Sequence, residues 1–384
     1  MDTGARSVVK AVIWNLLGLA MMAGIGWLLT GSLALGGTLA LVNTCVGFLS
    51  YLLYERIWAG VRWGRRQSDP QVSPPVPSQR AMLDRVQLQL GRVEWGTLAL
   101  ILGCYAAWGA ALAWLPLVSV WLAVPVLASL ITLQSSLSHE ALHGHPFRLR
   151  VLNEALMFLP LNLAVPYGRF RDTHLAHHHD EQLTDPYDDP ETNYLDPAQW
   201  RRMGAAQRGL LWFNNTLAGR VLLGPLLGQI RFMAEDWRLI RGGDEAVLRD
   251  WLLHLLGAGL TLWLVAQSAL PFWAYLLAAY LGLAILKIRT FLEHRAHLDP
   301  AARTVIIERG GLLGFLFLNN HLHVVHHCYP GVPWHALPRL YRDRRGQFLA
   351  RNNGYAYPSY GVVLRRYALR AKDPVAHPIW SEPQ

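Results

Sequence analysis

Residues 95–139 read WGTLALILGCYAAWGAALAWLPLVSVWLAVPVLASLITLQSSLSH, a run without one Asp, Glu, Lys or Arg that is bounded by Glu94 and Glu140 and ends on a histidine. About 20 helical residues cross a bilayer core, so the run is long enough to cross twice, with Leu115-Pro116 as the break. Two other stretches are equally free of charge, from Lys10 to Glu55 and from Asp250 to Lys287. Their breaks fall at Thr30-Gly31-Ser32 and at Gln267-Ser268 through Pro271. Buried helices of soluble proteins rarely run uncharged for so long. The expectation is an all-α integral membrane protein with six transmembrane helices in three hairpins.

Charge orients the hairpins. The three tips carry none, whereas the open ends carry Arg6, Lys10, Arg56, Arg62, Arg65, Arg66, Arg85, Arg92, Arg148, Arg150, Arg249, Lys287 and Arg289. Positive residues mark the cytosolic side, so both termini and a helical cap between and after the spans are expected there. The first apolar stretch runs straight into a second one, which argues against a cleavable signal peptide. The formal net charge of +9 suits anionic headgroups or an acidic protein partner. The arginines are scattered along membrane-proximal loops with no nucleic-acid-binding motif, so no nucleic-acid partner is expected. Cys45, Cys104 and Cys328 are odd in number and lack CxxC spacing, which implies no disulfide framework.

Residues 1–66 form a first domain, an N-terminal hairpin ending in YERIWAGVRWGRR with Trp58 and Trp63 as interfacial aromatics. A Pro-rich linker follows over 67–89, too polar and proline-rich to pack. Residues 90–384 hold the other two hairpins. Between these, from Arg208 to Ile240, apolar residues such as Leu211, Trp212, Leu217, Leu226 and Phe232 interleave with Arg220, Arg231 and Arg238. That pattern fits helices lying in the membrane interface.

Thirteen of the sixteen histidines fall in four clusters: HEALHGH from His139, HLAHHH from His174, EHRAH ending at His297, and HLHVVHH from His321. Neutral imidazole is the commonest metal ligand, and one zinc ion is satisfied by three or four protein ligands. The surplus points to two ions in one histidine cage. His139 and His143 are spaced i, i+4. His174, His177 and His178 are spaced i, i+3, i+4, as are His323, His326 and His327, so each set shares one side of a helix. HEALH also fits the HExxH of zinc metalloproteases, which leaves two HxxHH boxes unused.

The boxes His139-Glu-x-x-His143, His174-x-x-His177-His178 and His323-x-x-His326-His327 resemble those of the integral-membrane fatty acid desaturase and hydroxylase superfamily. PYGRFRDTHLAHHHD, LTDPYDDPE and NNHLHVVHHCYPGVPWHALP are similar to its bacterial acyl desaturase branch, over about residues 90–384. The N-terminal hairpin resembles a small, uncharacterised two-helix bacterial membrane domain through Tyr54, Glu55, Arg56 and Trp58. The superfamily resemblance implies two non-haem irons held by the box histidines and by His294, expected two to three helical turns beyond the last span. It further implies O2 as co-substrate, a lipid acyl substrate, and electrons from a cytosolic ferredoxin-like or similar donor. No catalytic side chain beyond the metal ligands is expected.

Glu140, Glu293, His145, His179, His321 and Asp189 adjoin these positions and are expected to orient imidazoles or line the site. His254, His335 and His377 are expected to be structural. Three functional classes stay open. The leading one is a di-iron acyl desaturase of the bacterial inner membrane, whose hydroxylase and carotenoid ketolase relatives use the same boxes. The others are a zinc metalloprotease and a metal transporter, although transporter ligands lie near midplane, where only His254 falls.

Overall fold

The computed structural model describes residues 93–179 and 183–379, which lie in one compact unit. The expected N-terminal hairpin over 1–66, with its two spans, and the linker over 67–89 lie outside the described residues.

Four described helices are long and apolar enough to cross a membrane: α1 (Trp95–Val118), α2 (Val120–Leu142), α5 (Glu245–Ala266) and α6 (Phe272–Thr290). Between the two pairs come α3 (Tyr167–His179) and α4 (Leu217–Arg241). The break between α1 and α2 is the single extended residue Ser119, with Pro116 inside the last turn of α1; the break expected at Leu115-Pro116 is therefore displaced. Pro116 removes the N–H that would bond the carbonyl four residues back and its ring crowds that carbonyl, so the helix ends two residues after it. The second break, Gln267 to Pro271, lies where the sequence placed it.

α2 is more buried than the other three spans. Its inner half packs Leu133 and Leu137 with Ile101 and Cys104 of α1, and its outer half packs Val124 and Leu127 with Trp108 and Leu112, so the two helices run antiparallel. On its other side α2 meets α6. A side chain at Gly282 would collide with Ile131 Cγ2 at 2.8 Å and Ala128 O at 3.0 Å, and the Thr132 hydroxyl donates to Gly282 O at 3.1 Å. Helices in lipid associate through this kind of close backbone approach.

After α6 the chain is not purely helical. Strand β1 (Ile306–Arg309) pairs in parallel with β2 (Ala356–Ser359), Ile306 opposite Ala356 and Ile307 opposite Tyr357. The protein is thus mostly helical rather than all-α. The β-branched run Thr304-Val305-Ile306-Ile307 suits a pleated, buried strand better than a helix. Between the strands lies α7 (His323–Cys328).

The amphipathic reading of Arg208 to Ile240 corresponds to a helix over Ala205–Asn214 and to α4. Leu222, Leu226, Ile230, Met233 and Trp237 are exposed, while Arg220 and Asp236 turn inward. Asp236 accepts from Arg169 at 2.8 Å and from the Trp251 indole at 2.8 Å, which ties α4 to α3 and α5.

Candidate metal centre

His139 lies in the last turn of α2 and His143 is its C-terminal cap. His174, His177 and His178 lie on α3, and His323, His326 and His327 on α7. His294 departs from the expected helical extension. α6 ends at Thr290, and His294 stands on extended chain bridged to Thr304.

These nine histidines converge in two groups. The ring nitrogens of His139, His143, His174, His178 and His326 all lie within 4.8 Å of one another, and so do those of His177, His294, His323 and His327. Helix geometry explains the partition. At 100° per residue, positions i and i+4 stand about 40° apart, whereas i+3 falls on the opposite flank of i. Each HxxHH box therefore sends its i, i+4 pair to one group and its middle histidine to the other. His174 and His178 join the five with His326; His323 and His327 join the four with His177.

Three of the outward ring nitrogens are held by oxygens. His177 Nδ1 donates to Asp189 at 2.7 Å, His174 Nδ1 to Glu191 at 2.8 Å and His323 Nδ1 to Asn320 Oδ1 at 3.2 Å. This fixes the rings with Nε2 inward, where His177 and His323 Nε2 lie 2.9 and 3.0 Å from His294 Nε2. His139 Nε2 and His143 Nε2 are buried without a hydrogen-bond partner. Buried polar atoms are almost always paired, so two orphaned imidazole nitrogens among converging neighbours fit a metal ion, and both groups can hold one.

Electrostatics favours the neutral, ligating form. Removal from water, reinforced by neighbouring imidazoles, pushes His143, His294, His323, His326 and His327 well below the usual histidine range. His177 is the exception. Burial would lower it, but Glu191 and Asp189 outweigh burial and raise it to about 9, so an incoming cation displaces a proton there.

The other expected residues are placed as follows. Asp189 holds His177. Glu293 pairs with Arg289 at 2.9 Å and accepts from Asn320 at 3.1 Å, so it supports His323 through that amide. Glu140 accepts from the Trp334 N–H at 3.0 Å and lies 3.9 Å from His139 Nδ1. His145 pairs with Glu94 at 2.8 Å. His321 packs its ring against Gly310 and Gly314. The side chain of His179 lies outside the described residues. His254 bonds Leu163 O at 3.2 Å, His335 bonds Glu94 at 2.6 Å and His377 bonds the Thr184 hydroxyl at 3.2 Å.

Sequence reasoning passed over Asn320, Glu94 and the C-terminal segment. Lys372 Nζ donates to His294 O at 2.6 Å. Tyr194 donates to Asp373 at 2.5 Å, and Leu195 donates its N–H to Val375 O at 2.9 Å and accepts from the His377 N–H at 2.8 Å. The segment thus straps the loop that carries Asp189 and Glu191 as well as the chain that carries His294.

The family model of the fatty acid desaturases matches residues 118–359, which include all nine histidines. The chain belongs to the fatty acid desaturase family. A second model, described as a predicted membrane protein (DUF2061), matches residues 8–59. No curated protein matches the chain. Desaturase-family membership makes the protein an oxidoreductase of the desaturase or hydroxylase type and gives the two histidine groups a metal-binding context. The strap lies beyond the desaturase match.

Proposed function

We propose that this chain is a membrane acyl desaturase in which the nine histidines hold two non-haem irons, with O2 as co-substrate. The observation that carries the reading is the division of nine imidazoles into adjoining groups of five and four. Imidazole suits iron as well as zinc. Zinc cannot change oxidation state, and removing hydrogen from an unactivated acyl carbon is an oxidation. A single-zinc HExxH protease leaves the four-histidine group unexplained, and Glu140, its required base, is bonded to Trp334 N–H.

When bound, a pair of redox-active irons supplies the activation of O2 that C–H cleavage requires. In balance, two electrons from the acyl –CH2–CH2– unit and two from a donor, with protons, reduce one O2 to two waters and leave a double bond. The protein's part is positional. Asp189, Glu191 and Asn320 hold the Nδ1 protons of His177, His174 and His323 outward and so keep Nε2 available. The buried walls around His139, His177, His323 and His326 keep bulk water from the centre. The donor is a ferredoxin-like or similar acidic carrier steered by the basic surface, and the setting is the bacterial inner membrane with the centre and both termini cytosolic.

The test is expression in a host of defined lipid profile, followed by mass spectrometry of fatty acids and whole lipids. Loss of two hydrogens is expected; gain of oxygen would assign the hydroxylase or ketolase outcome instead. Reporters fused after Gly64 and at the C-terminus are both expected to read cytosolic, and a periplasmic signal at either overturns the orientation.

A further inference from the structure

A cavity of about 300 Å³ is lined in part by Glu308, Gly310, Gly314, His321, Arg342 and Arg345. None of the nine converging histidines lines it. Its most telling feature is His321, whose residue is only 7% exposed and whose Nδ1 is buried without a hydrogen-bond partner. Side chains at Gly310 and Gly314 would come within 2.6 and 3.0 Å of His321 Cε1. Glycine at both positions therefore keeps the ring in the cavity wall. Nδ1 is closed off against these two glycines, whereas Nε2, which makes no hydrogen bond among the described residues, is the ring nitrogen left for a ligand atom to meet.

The charges around the cavity select the ligand. Glu308 already accepts from Arg345 at 2.7 Å and from the Tyr341 hydroxyl at 2.8 Å, so that anion and one arginine neutralise each other. Arg342, exposed on the helix Leu337–Asp343, makes no ion pair among the described residues. One cation with a planar donor fork remains over a cavity containing an unbonded imidazole, a combination that recognises an oxyanion. The helix Gly311–Leu316 forms one side. It buries Leu316 in the cluster that includes Leu133 and Leu137 of α2, yet exposes Leu312 by 74% and Phe315 by 45%. An apolar chain can lie along those two side chains while its charged end reaches Arg342 and His321.

We propose that this cavity binds the singly charged oxyanion of a membrane lipid, with the lipid's acyl chain against Leu312 and Phe315. The site is separate from the metal centre and does not depend on the reaction assigned to it.

The test uses the full chain purified in neutral detergent. Phosphatidylglycerol, oleate and inorganic phosphate are each titrated, with binding read by native mass spectrometry and thermal shift, and metal content is measured alongside. Lipid is expected to bind the wild-type protein, and Arg342→Gln is expected to weaken it about tenfold, the loss of one charge-assisted hydrogen bond. His321→Ala is expected to weaken it as well. Arg342 is exposed, so R342Q keeps the proposal testable where H321A fails to fold, and its metal content is expected to equal that of the wild type. Preference for phosphatidylglycerol assigns a phosphodiester and preference for oleate a carboxylate. Unchanged lipid affinity in R342Q, inorganic phosphate binding as tightly as either lipid, or no binding of any probe overturns the proposal.

Discussion

The imidazoles of His178 and His327 stack at 4.3 Å with their planes 22° apart, although the first belongs to the five-histidine group and the second to the four. The groups share this wall. A metal ion held by one would be felt in the other through ring contact and charge, while each group has its own set of nitrogens.

Removing one histidine from the four-histidine group should empty that group and spare the other. His177→Ala leaves the four-histidine group with three ligands and the five-histidine group intact. Iron is expected to fall from near two to near one per chain, with activity abolished and membrane insertion unchanged. His143→Ala, which still leaves four nitrogens, is expected to retain close to two. Elemental analysis of monodisperse protein checks both, and complete iron loss in H177A would show that the groups do not fill separately.

Asp189 accepts three N–H bonds, from His177 at 2.7 Å, Thr184 at 2.8 Å and Glu191 at 2.9 Å. Asp189→Asn keeps the shape and removes the charge. Metal affinity is expected to fall about 10- to 100-fold, the usual effect of losing an outer partner of a ligating histidine. Chelator competition measures it, and wild-type retention would assign Asp189 to loop structure alone.

Lys372→Met keeps the aliphatic stem and deletes the donor to His294 O. The loss of this bond, together with the ion pair to Asp373 at 2.6 Å, is expected to weaken metal retention in the four-histidine group by roughly threefold to tenfold without changing the five-histidine group. Stepwise metal release during chelator titration separates the two, and equal effects on both groups would count against a local role.

Burial alone would raise the Glu94 carboxyl, but hydrogen bonds from His145 and His335 outweigh burial and hold it down at about 2, against an ordinary value of 4.5. A folded value below the unfolded one contributes stability that is present above pH 4.5 and lost as pH falls toward 2. Glu94→Gln is accordingly expected to melt lower than wild type at neutral pH and to show a flatter acid limb between these values. Thermal melts in detergent across that range decide it; parallel wild-type and variant curves would mean that the pair adds nothing.

The charge-free runs made the four described apolar helices legible because lipid excludes charge whatever the tertiary contacts. The i, i+4 and i+3 spacings carried the box histidines to a common centre because helical phase is local. What local pattern could not supply was His294's backbone, since whether α6 continues past Thr290 depends on the bridge between His294 and Thr304. Nor could it pair Glu94 with His335, 241 residues apart, or link Lys372 to His294. Those contacts exist only once the chain has folded, and no short motif encodes them.

The strap also sets an order of assembly. Lys372 follows His139 by 233 positions, so at about 5–20 residues per second of synthesis the first box waits roughly 10 to 50 seconds before the side chain that braces His294 exists. For much of that interval the early histidines precede His294, His323, His326 and His327, the partners that complete their groups. On the proposed di-iron reading, complete loading would be a late event in biogenesis, governed by what the cell supplies once the strap has been made, and an organism starved of iron at that moment would be expected to accumulate inserted protein without its full metal complement.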